Sequence, residues 1–510
     1  MRPGLVLENQ KKSNVISVNF FRFVLSPSTF CKFPHLHEQV ASCGGRACRA
    51  TPMNDADRSP SEAASRRVKK DLPRETALTI LCRAEDGTFV DALLAQARER
   101  MDARDSGFLL ELVYGVLRNR ARLDWVLNRF SAKPIDTTDA GTRNILRLGA
   151  YQMLFLDRVP VSAAVNTSVE LAKEHGRKHG YVNGLLRGLD RKRGTIAYPV
   201  AGDPVARLSM LTSHPAWLVK RWVSRYGAET AEALLQANNQ PAPLTIRTNI
   251  LKTTRYALKA ALEAEGVQVS ETSCSPVGLD IISSPGWLRT LQAYRDGLFM
   301  VQDQAAQLIS LLIAPQPGET VLDACAAPGG KATHLAELMQ NQGTVAALEL
   351  DASRIAKIRE NSRRLGTTIV APLQGDASRY HDGVFDRVLI DAPCSGLGVL
   401  RRHPDGRWNK KEQTVGDHAA LQRRILENCA SLVKPGGTLV YATCTTEQEE
   451  NDEVIASFLS GPGSAFRIDD PRPFLPQAAA AFVDTGGLFR TFPKAPEMDG
   501  FFGVRMVRTT

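Results

Sequence analysis

Between Arg74 and about Leu189, apolar residues recur at intervals of three and four positions, which is the spacing of helices that each bury one face. Pro160 suits the start of a helix, and Gly176 suits the end of one. The pattern predicts an all-helical domain of roughly five to seven helices. The segments that carry it are ETALTILCRA, FVDALLAQARERM, SGFLLELVYGVLRNRARLDWVLNRF and RNILRLGAYQMLFL.

The periodicity changes after the helical segment. APLTIRTN (242–249) and VGLDIISS (277–284) have the short apolar runs of strands, and TTRYALKAALEAEG (253–266) has the pattern of an amphipathic helix that ends at a glycine. We expect a small α+β module here, which joins the helical domain to the remainder of the chain.

From about Gln302 onward, short β-rich runs alternate with helical segments. The runs are ETVLDACAAPGG, TVAALEL, IVAPLQGD, FDRVLIDAP and GTLVYATC. Their alternation predicts a parallel sheet with helices on both faces, and LFRTFPKAPEMDGFFGVRMVR predicts a terminal antiparallel pair of strands. The predicted fold class is therefore multidomain, with an all-α N-terminal domain at 72–200, a small α+β linker module at 201–300 and a C-terminal α/β Rossmann-like domain at 301–510.

Residues 1–71 differ from the rest of the chain. Positions 53–70 (MNDADRSPSEAASRRVKK) have the polar composition of a disordered segment. The apolar stretch before them carries Arg22 and Lys32, which makes it a poor signal-peptide core. We interpret 1–71 as a disordered leader and favour Met53 as the start of translation, with a basic transit peptide as the less favoured alternative.

Composition and charge narrow the class of protein. No apolar run in the 510 residues reaches the ~18 positions that a membrane helix needs. The nine cysteines include no CxxC pair and are too few for a disulfide framework, so we expect a reducing cytoplasm. The net charge of +10 suits a polyanionic partner, although many basic proteins bind nothing acidic.

A glycine-rich turn joins the first predicted strand of the last domain to a helix. In LDACAAPGGKATHLAEL (322–338), Gly329 and Gly330 allow backbone N–H groups to approach a ligand at the helix start. Glu349 ends the next strand, where an acid accepts hydrogen bonds from ribose hydroxyls, and Asp376 ends the third, where it can receive an adenine amino group. Acids after successive strands, together with the turn, predict an adenosyl ligand.

Two cysteines lie where predicted strands stop. Asp391 and Cys394 end the fourth strand, and Cys444 ends the fifth, so neighbouring strands would bring both thiols into one crevice. Pyrimidine C5 accepts a methyl group only after a thiolate adds at C6 and makes the ring an enamine. A second acid/base group then assists loss of the C5 proton, and a carboxyl group can hydrogen-bond N3. Two thiols, a carboxyl group and an adenosyl pocket form such a set.

The motifs DACAAPGGK (323–331), DAPCSG (391–396) and YATCTTEQEEN (441–451) resemble those of the RNA cytosine-5 methyltransferases of the RsmB/NOL/NOP type. The resemblance implies a Rossmann-like methyltransferase domain that uses S-adenosylmethionine, with Cys444 as nucleophile and Cys394 assisting product release. The family commonly has Asp at Glu349, whose carboxylate preserves the role with a longer reach. Asp391 and Lys331 join the catalytic set. The implied cofactor contacts are Cys325, Ala326, Ala327, Pro328, Gly329, Gly330, Lys331, Glu349, Asp376 and Asp391.

The helical part resembles the NusB fold, and a NusB-like domain before this catalytic domain is the arrangement of bacterial members that methylate 16S rRNA. The resemblance covers roughly residues 72–510. It implies 16S rRNA, naked or in an early assembly intermediate, as substrate and partner. We further expect a cytoplasmic monomer, with no metal and no membrane partner.

Two basic segments are candidate RNA contacts. One follows the fourth strand and contains Arg401, Arg402, His403, Arg407 and Trp408, which could bind phosphate and stack a base. The other, HGRKHGYVNGLLRGLDRKRG, is either a phosphate-contacting surface or a solvated helix face. A solvated loop is the alternative for the first segment. Packing residues are expected at Cys82, Cys274 and Cys429.

Four other functions compete with methylation of rRNA. Another RNA, such as tRNA, could be the target of the same chemistry. DNA cytosine-5 methylation would make Cys394 the nucleophile and leave Cys444 unexplained, and amino-group methylation typically uses an (Asp/Asn)-Pro-Pro-aromatic loop that DAPCSG does not supply. A non-catalytic RNA-binding or antitermination protein would use the helical domain alone and ignore the other site residues.

Overall fold

The helical periodicity of the N-terminal domain corresponds to six helices in a computed structural model, which describes residues 71–284, 286–493 and 498–509. Asp102 and Asp139 cap two of these helices by accepting hydrogen bonds from backbone N–H groups in the first turn. Their apolar faces form one core, as the sequence predicted. Residues 1–70 of the predicted leader lie outside the described residues, whereas Asp71 is the N-cap of α1. The helices are α1 (Leu72–Glu85), α2 (Val90–Arg98), α3 (Ala103–Asn128), α4 (Ala140–Phe155), α5 (Val161–Glu174) and α6 (His179–Lys192).

Three further helices begin the linker module, and the sequence reading missed them. Asp203 caps the first, and Gly227, at a φ of +77°, allows the sharp turn between the second and third. The apolar faces of these helices pack against Leu397 and Leu400 of the C-terminal domain. They are α7 (Pro204–Thr212), α8 (Ala216–Tyr226) and α9 (Ala228–Ala237).

The rest of the linker module is a four-stranded antiparallel sheet in the order β2-β3-β1-β4. The two predicted strands and the predicted helix are present, whereas the short strands β2 and β4 were not predicted. Strands of three or four residues carry too few positions for an alternating pattern to show. The elements are β1 (Leu244–Thr248), α10 (Arg255–Ala264), β2 (Gln268–Glu271), β3 (Gly278–Ser283), α11 (Gln292–Arg295) and β4 (Phe299–Val301).

An eight-stranded mixed sheet forms the C-terminal domain, with the path β10-β12-β9-β8-β5-β6-β7 and β11 paired to β12. All five predicted strands are parallel neighbours within it. The predicted terminal pair is antiparallel, and β12 also lies antiparallel to β9. The strands are β5 (Thr320–Asp323), β6 (Thr344–Glu349), β7 (Val370–Gln374), β8 (Phe385–Asp391), β9 (Val433–Thr443), β10 (Phe466–Ile468), β11 (Leu488–Arg490) and β12 (Phe502–Arg508).

Helices cover both faces of this sheet and bury two apolar cores. No helix of the described ranges is long and apolar enough to cross a membrane. The helices are α12 (Gln304–Ile313), α13 (Gly330–Leu338), α14 (Ala352–Leu365), α15 (Gly406–Asn409), α16 (Gln413–Ser431), α17 (Asp452–Leu459) and α18 (Gln477–Ala480). Short 3₁₀ turns lie at Ile135–Thr137, Arg193–Thr195, Leu288–Thr290, Leu397–Val399, Gln448–Glu450 and Arg472–Phe474.

The strand order reverses between β5 and β8. The chain proceeds from β5 to β6 and β7 on one side and then returns to β8 and β9 on the other. In open α/β sheets a ligand binds in the crevice at such a reversal, beyond the carboxyl ends of the strands. The predicted motifs follow the ends of β5, β6, β8 and β9. The topology therefore indicates that the candidate site lies in this crevice.

Candidate active site

Lys331 and Asp391 form an ion pair where the strand order reverses. Asp391 is the last residue of β8, and Lys331 lies in the first turn of α13, which follows β5. Nζ of the lysine is 2.6 Å from Oδ2 of the aspartate, and the two side chains are 10% and 29% exposed. Burial alone would lower the pKa of Lys331, but the Asp391 charge outweighs it and raises that pKa. Both residues were predicted at the site, and the structure brings them together.

The two predicted thiols are in contact. Strands β8 and β9 are parallel neighbours, with Asp391 opposite Ala442, so the loops that follow them leave the sheet side by side. Cys394 and Cys444 lie in these loops, and their Sγ atoms are 3.2 Å apart. The expectation that neighbouring strands would bring the cysteines into one crevice is therefore met by the geometry.

A hydrogen bond between the thiols distinguishes one from the other. With Cys394 donating, the bond raises the pKa of Cys394, and burial raises it further. The same bond lowers the pKa of Cys444, against the effect of its burial and the charge of Asp391. The positive charges of Lys331 and Lys410 lower it as well. Cys444 is therefore the thiol that ionises first.

A buried carboxylate ties the two cysteine loops to each other. Glu450 accepts hydrogen bonds from the backbone N–H of Ser395 at 2.8 Å and from the hydroxyl of the same residue. Gln422 of α16 donates to this carboxylate and to the carbonyl of Pro393, each at 2.9 Å. The Ser395 hydroxyl also lies 2.9 Å from that of Thr445. These contacts fix the positions from which both thiols project.

The glycine-rich turn lies beside the acid that ends β6. Gly329 has a φ of +96°, in the left-handed region that favours glycine, and it precedes the N-terminus of α13. The buried Glu349 carboxylate accepts a hydrogen bond from the Ala327 N–H at 3.3 Å. Arg354 donates to Glu349 and to the Ala327 carbonyl, at 3.4 and 3.2 Å. The turn and the acid are thus held as one unit, which suits the ribose of an adenosyl ligand.

Asp376 lies at the same edge of the sheet. It follows β7, in which Gln374 pairs with Glu349 of β6. Its carboxylate accepts hydrogen bonds from the N–H and the hydroxyl of Ser378, at 2.9 and 2.7 Å, and the hydroxyl bond is the main cause of its lowered pKa. The structure therefore places the predicted adenosyl-binding acids at the ends of adjacent strands.

The sequence reading missed Asp323, the last residue of β5. Its carboxylate is fully buried, and neither oxygen has a well-formed hydrogen bond within the described residues. Burial, and next the charge of Asp391, raise the pKa of Asp323 to about 7. The charge of Lys331 and the backbone N–H of Cys325 lower this pKa only in part, so the buried carboxyl group remains costly to ionise. The residue opens the motif DACAAPGGK, so its place at a strand end was the available signal.

The basic loop expected to contact RNA is instead an internal junction between domains. Arg401 and Arg402 both donate to the buried carboxylate of Asp499, and Arg402 also donates to Asp303 at 2.7 Å. Arg401 is 1% exposed. Asp499 supplies the charge that offsets the burial of both guanidinium groups, which explains why they do not lie on a surface open to RNA.

The remaining members of this loop contact the helical domain and the linker. Arg407 is 0% exposed and donates to Asn239 and to the carbonyl of Asn238. The indole N–H of Trp408 donates to the Leu117 carbonyl at 2.9 Å. His403, the most accessible of the set, pairs with Asp91 of α2. The five side chains join three parts of the chain, and the expected base stacking by Trp408 has no support in this arrangement.

The remaining predictions concern three cysteines, the basic segment of α6 and a metal site. Cys274 and Cys429 are buried and Cys82 is half-buried, all three against apolar residues. On α6, Arg187 and Arg191 are exposed, which leaves both readings of that basic segment open. Among the residues that the structure describes, no group of three or more His, Cys, Asp or Glu side chains could hold a metal ion.

Comparison with known proteins decides the family. A protein of Bacillus subtilis named probable ribosomal RNA small subunit methyltransferase B is 38% identical over 85% of this chain and 98% of its own length. The chain belongs to the family of small-subunit methyltransferase B proteins. Its Erwinia tasmaniensis member, named ribosomal RNA small subunit methyltransferase B, is 35% identical over 85% of this chain and 97% of its own.

Family models and a solved structure agree with this membership. The model described as 16S rRNA methyltransferase RsmB/F matches residues 310–507, that of the NusB family matches 71–191, and a RsmF/B-like ferredoxin-like domain matches 214–285. The crystal structure of a protein designated PH0851 superimposes with a TM-score of 0.72 at 29% identity and covers 85% of this chain and 98% of its own. The chain is therefore a methyltransferase with a NusB domain, a ferredoxin-like module and a Rossmann-like catalytic domain.

The crevice of this methyltransferase predicts a specific pH dependence. Since the Cys394 hydrogen bond and nearby lysines lower the pKa of Cys444, its thiolate forms at lower pH than that of an ordinary thiol. We expect iodoacetamide to alkylate Cys444 before Cys394 as pH rises, and a Cys394→Ala change to move the Cys444 profile to higher pH. Peptide mass spectrometry of the native enzyme after timed alkylation measures both thiols. Equal profiles for the two cysteines would contradict the assignment of donor and acceptor.

Proposed function

We propose that this methyltransferase transfers a methyl group from S-adenosylmethionine to C5 of a specific cytosine in 16S rRNA, through a covalent bond between Cys444 and C6. The observation that carries the proposal is the pair of thiols 3.2 Å apart at the ends of β8 and β9. An amino or hydroxyl target needs no thiol, whereas a C5 target needs one to attack and benefits from a second acid/base group. The Lys331–Asp391 pair in the same crevice supplies the remaining polar groups.

The groups around the glycine-rich turn fit the cofactor. Glu349 suits the ribose hydroxyls, and Asp376 suits the adenine amino group. The buried carboxyl group of Asp323 suits a polar or cationic group of the ligand. The turn at 325–331 would lie along the ligand at the start of α13. When bound, S-adenosylmethionine supplies an electrophilic methyl group on a sulfonium.

Each protein group then has one task. The Cys444 thiolate adds to C6 and forms a carbon–sulfur bond, which makes the cytosine an enamine with a nucleophilic C5. Lys331 and Asp391 share a proton across their 2.6 Å contact, and the pair donates it to N3 as the carbon–sulfur bond forms, which neutralises the charge that the addition places on the ring. After C5 has been methylated, the C5 proton passes to a solvent base and its electron pair re-forms the C5–C6 double bond. N3 returns its proton to the Lys331–Asp391 pair, the C6–sulfur bond breaks, and Cys394 assists this release by donating a hydrogen bond to the departing Cys444 sulfur.

The reading that Cys394 is the nucleophile is less favoured by the site. The contact with Cys444 and burial both raise the pKa of Cys394, so it is the poorer thiolate. We further propose that the enzyme acts as a monomer, and that it meets its rRNA substrate in the cytoplasm.

The target can be tested by mapping 5-methylcytosine in rRNA. Bisulfite sequencing of 16S rRNA from a strain that lacks the gene is expected to show one cytosine that has lost its methyl group. The wild-type gene should restore it, and the Cys444→Ala gene should not. Unchanged 16S rRNA would contradict the proposed substrate, and loss of 5-methylcytosine from tRNA would assign the same chemistry to the alternative target.

A further inference from the structure

Helix α8 of the linker module lies directly on the loop that follows Cys444. The Thr446 carbonyl accepts hydrogen bonds from Arg225 at 2.6 Å and from the hydroxyl of Tyr226 at 3.3 Å. The linker module therefore holds this loop two residues after the proposed nucleophile. Sequence separation hid this contact, since the partners lie more than two hundred residues apart along the chain.

The strongest contact from α8 is to Glu447, three residues after Cys444. The side chain of Glu447 is 0% exposed. Its carboxylate accepts a hydrogen bond from the indole N–H of Trp222 at 2.9 Å and another from Nε of Arg221, and the hydroxyl of neighbouring Thr446 adds a longer one at 3.4 Å. This buried carboxylate needs the donors that the linker module supplies. The position of those donors therefore fixes the position of the loop.

Arg221 links two acids of the same loop, because its guanidinium also pairs with Glu449. The guanidinium bridges the carboxylates of Glu447 and Glu449, and so it spans the 3₁₀ turn that ends at Glu450. Glu450 in turn binds Ser395 beside the other thiol. The contacts of Arg221 with the Cys444 loop are thus connected to the hydrogen bonds that position Cys394.

The apolar side of α8 supports the other cysteine loop. Trp222, which is 1% exposed, and Leu218 belong to the same packed core as Leu397 and Leu400, which follow Cys394. One helix therefore contacts both loops, by hydrogen bonds to one and by apolar packing to the other. No other helix of the linker supplies donors to Glu447 in the described structure.

We propose that Arg221 and Trp222 are positioning residues for the reaction, which hold Cys444 through Glu447 at the place where it meets Cys394 and the target base. The inference rests on the proposed function of Cys444 as nucleophile. A displacement of about 1 Å in a reacting group can cost on the order of a hundredfold in rate. The linker module thereby contributes to catalysis without touching substrate.

The test compares Arg221→Gln with Arg221→Lys and with Arg207→Gln. Arg207 is a matched control, since it lies on α7 of the same module and pairs with Glu232 at 3.9 Å, away from the loop. For each full-length variant, kcat and cofactor affinity are measured, and the pH profile of Cys444 alkylation by iodoacetamide is recorded without RNA. The thermal midpoint of unfolding reports any loss of fold.

For Arg221→Gln we expect kcat to fall about tenfold or more, with little change in cofactor affinity. The alkylation profile of Cys444 should move to higher pH as its contact with the Cys394 thiol loosens. Arg221→Lys should recover part of both effects, and Arg207→Gln should match the wild type. A lowered thermal midpoint with an unchanged kcat and an unchanged alkylation profile in Arg221→Gln would overturn the proposal.

Alkylation needs no RNA, so it separates this inference from the choice of substrate. A shifted profile in Arg221→Gln supports the positioning role even if 16S rRNA proves not to be the target. If wild-type Cys444 has no lowered profile, the nucleophile assignment itself fails. Trp222→Phe, which removes the N–H donor and keeps an aromatic ring in the core, should shift the Cys444 profile in the same direction, and an unchanged profile there would exclude Trp222 from the role.

Discussion

Replacing Cys444 by alanine is expected to abolish methyl transfer, whereas replacing Cys394 by alanine should trap the enzyme on its RNA. Without the Cys444 thiolate no bond forms at C6, and the rate should fall by on the order of 10⁴-fold or more. Without Cys394 the attack remains possible, but release of the methylated base fails, so the adduct accumulates.

Denaturing gel electrophoresis with labelled 16S rRNA and S-adenosylmethionine measures the two outcomes together. A band of protein-linked RNA should appear with Cys394→Ala and be absent with Cys444→Ala. Cys82→Ala is the matched control, since Cys82 is a half-buried thiol of α1 in the helical domain. The reverse pattern, an adduct with Cys444→Ala alone, would make Cys394 the nucleophile.

The structure gives this prediction a physical basis beyond resemblance. The two thiols are only 3.2 Å apart, so proximity to the base alone does not distinguish them. Their hydrogen bond does, because it favours the proton on Cys394 and the charge on Cys444. The lysines at 331 and 410 act in the same direction. The opposite shifts of the two pKa values favour attack by Cys444 and keep the proton on Cys394.

The sequence was sufficient to predict the catalytic sheet and the meeting of the two cysteines. Fully buried parallel strands read as apolar runs, as in FDRVLIDAP and GTLVYATC, and a strand's end is marked by its first acid or cysteine. The adjacency of Cys394 and Cys444 then required only that β8 and β9 be neighbours. That is the commonest arrangement for successive strands joined by a helix.

The basic loop shows where sequence reasoning stopped. The local sequence around Arg401 and Arg402 does not show whether they face solvent or are buried. The acid that neutralises them, Asp499, lies nearly one hundred positions further along the chain. A local pattern contains no information on such a partner. Helices α7 to α9 were also missed, and only the folded structure shows that their apolar faces pack against Leu397 and Leu400 of another domain.

Asp323 illustrates a different limit. Its position at the end of β5 was visible in the sequence, but its significance arises from burial without a well-formed hydrogen bond. Burial depends on α13 and on β6 and β8 beside it, which only the folded sheet defines. A predicted strand end therefore identifies a candidate acid, whereas the raised pKa that marks it as unusual needs the tertiary structure.

Replacing Arg402 by alanine is expected to destabilise the fold rather than weaken RNA binding directly. The change leaves the buried carboxylate of Asp303 without its cation, and breaking one side of a buried pair typically costs about 3–5 kcal/mol in the free energy of unfolding. Burial and the Asp499 charge already raise the pKa of Asp303 to about 6, above its value in the unfolded chain. Because the Arg402 charge lowers this pKa, its removal raises the pKa further. A raised carboxyl pKa penalises the fold at high pH, so the deficit of the variant should be largest above its own folded pKa and shrink as pH falls toward 6.

Urea unfolding of the Arg402→Ala and wild-type proteins at several pH values measures this loss, and RNA affinity at several salt concentrations measures the competing role. We expect a lower unfolding midpoint with an unchanged slope of log Kd against log salt, because a guanidinium paired inside the protein releases no counterions from RNA. Arg191→Ala, an exposed change on α6, is the control and should leave the unfolding midpoint unchanged. An Arg402→Ala protein with wild-type stability and a salt slope reduced by about one would return this loop to the RNA-binding surface, since that is the signature of a lost phosphate contact.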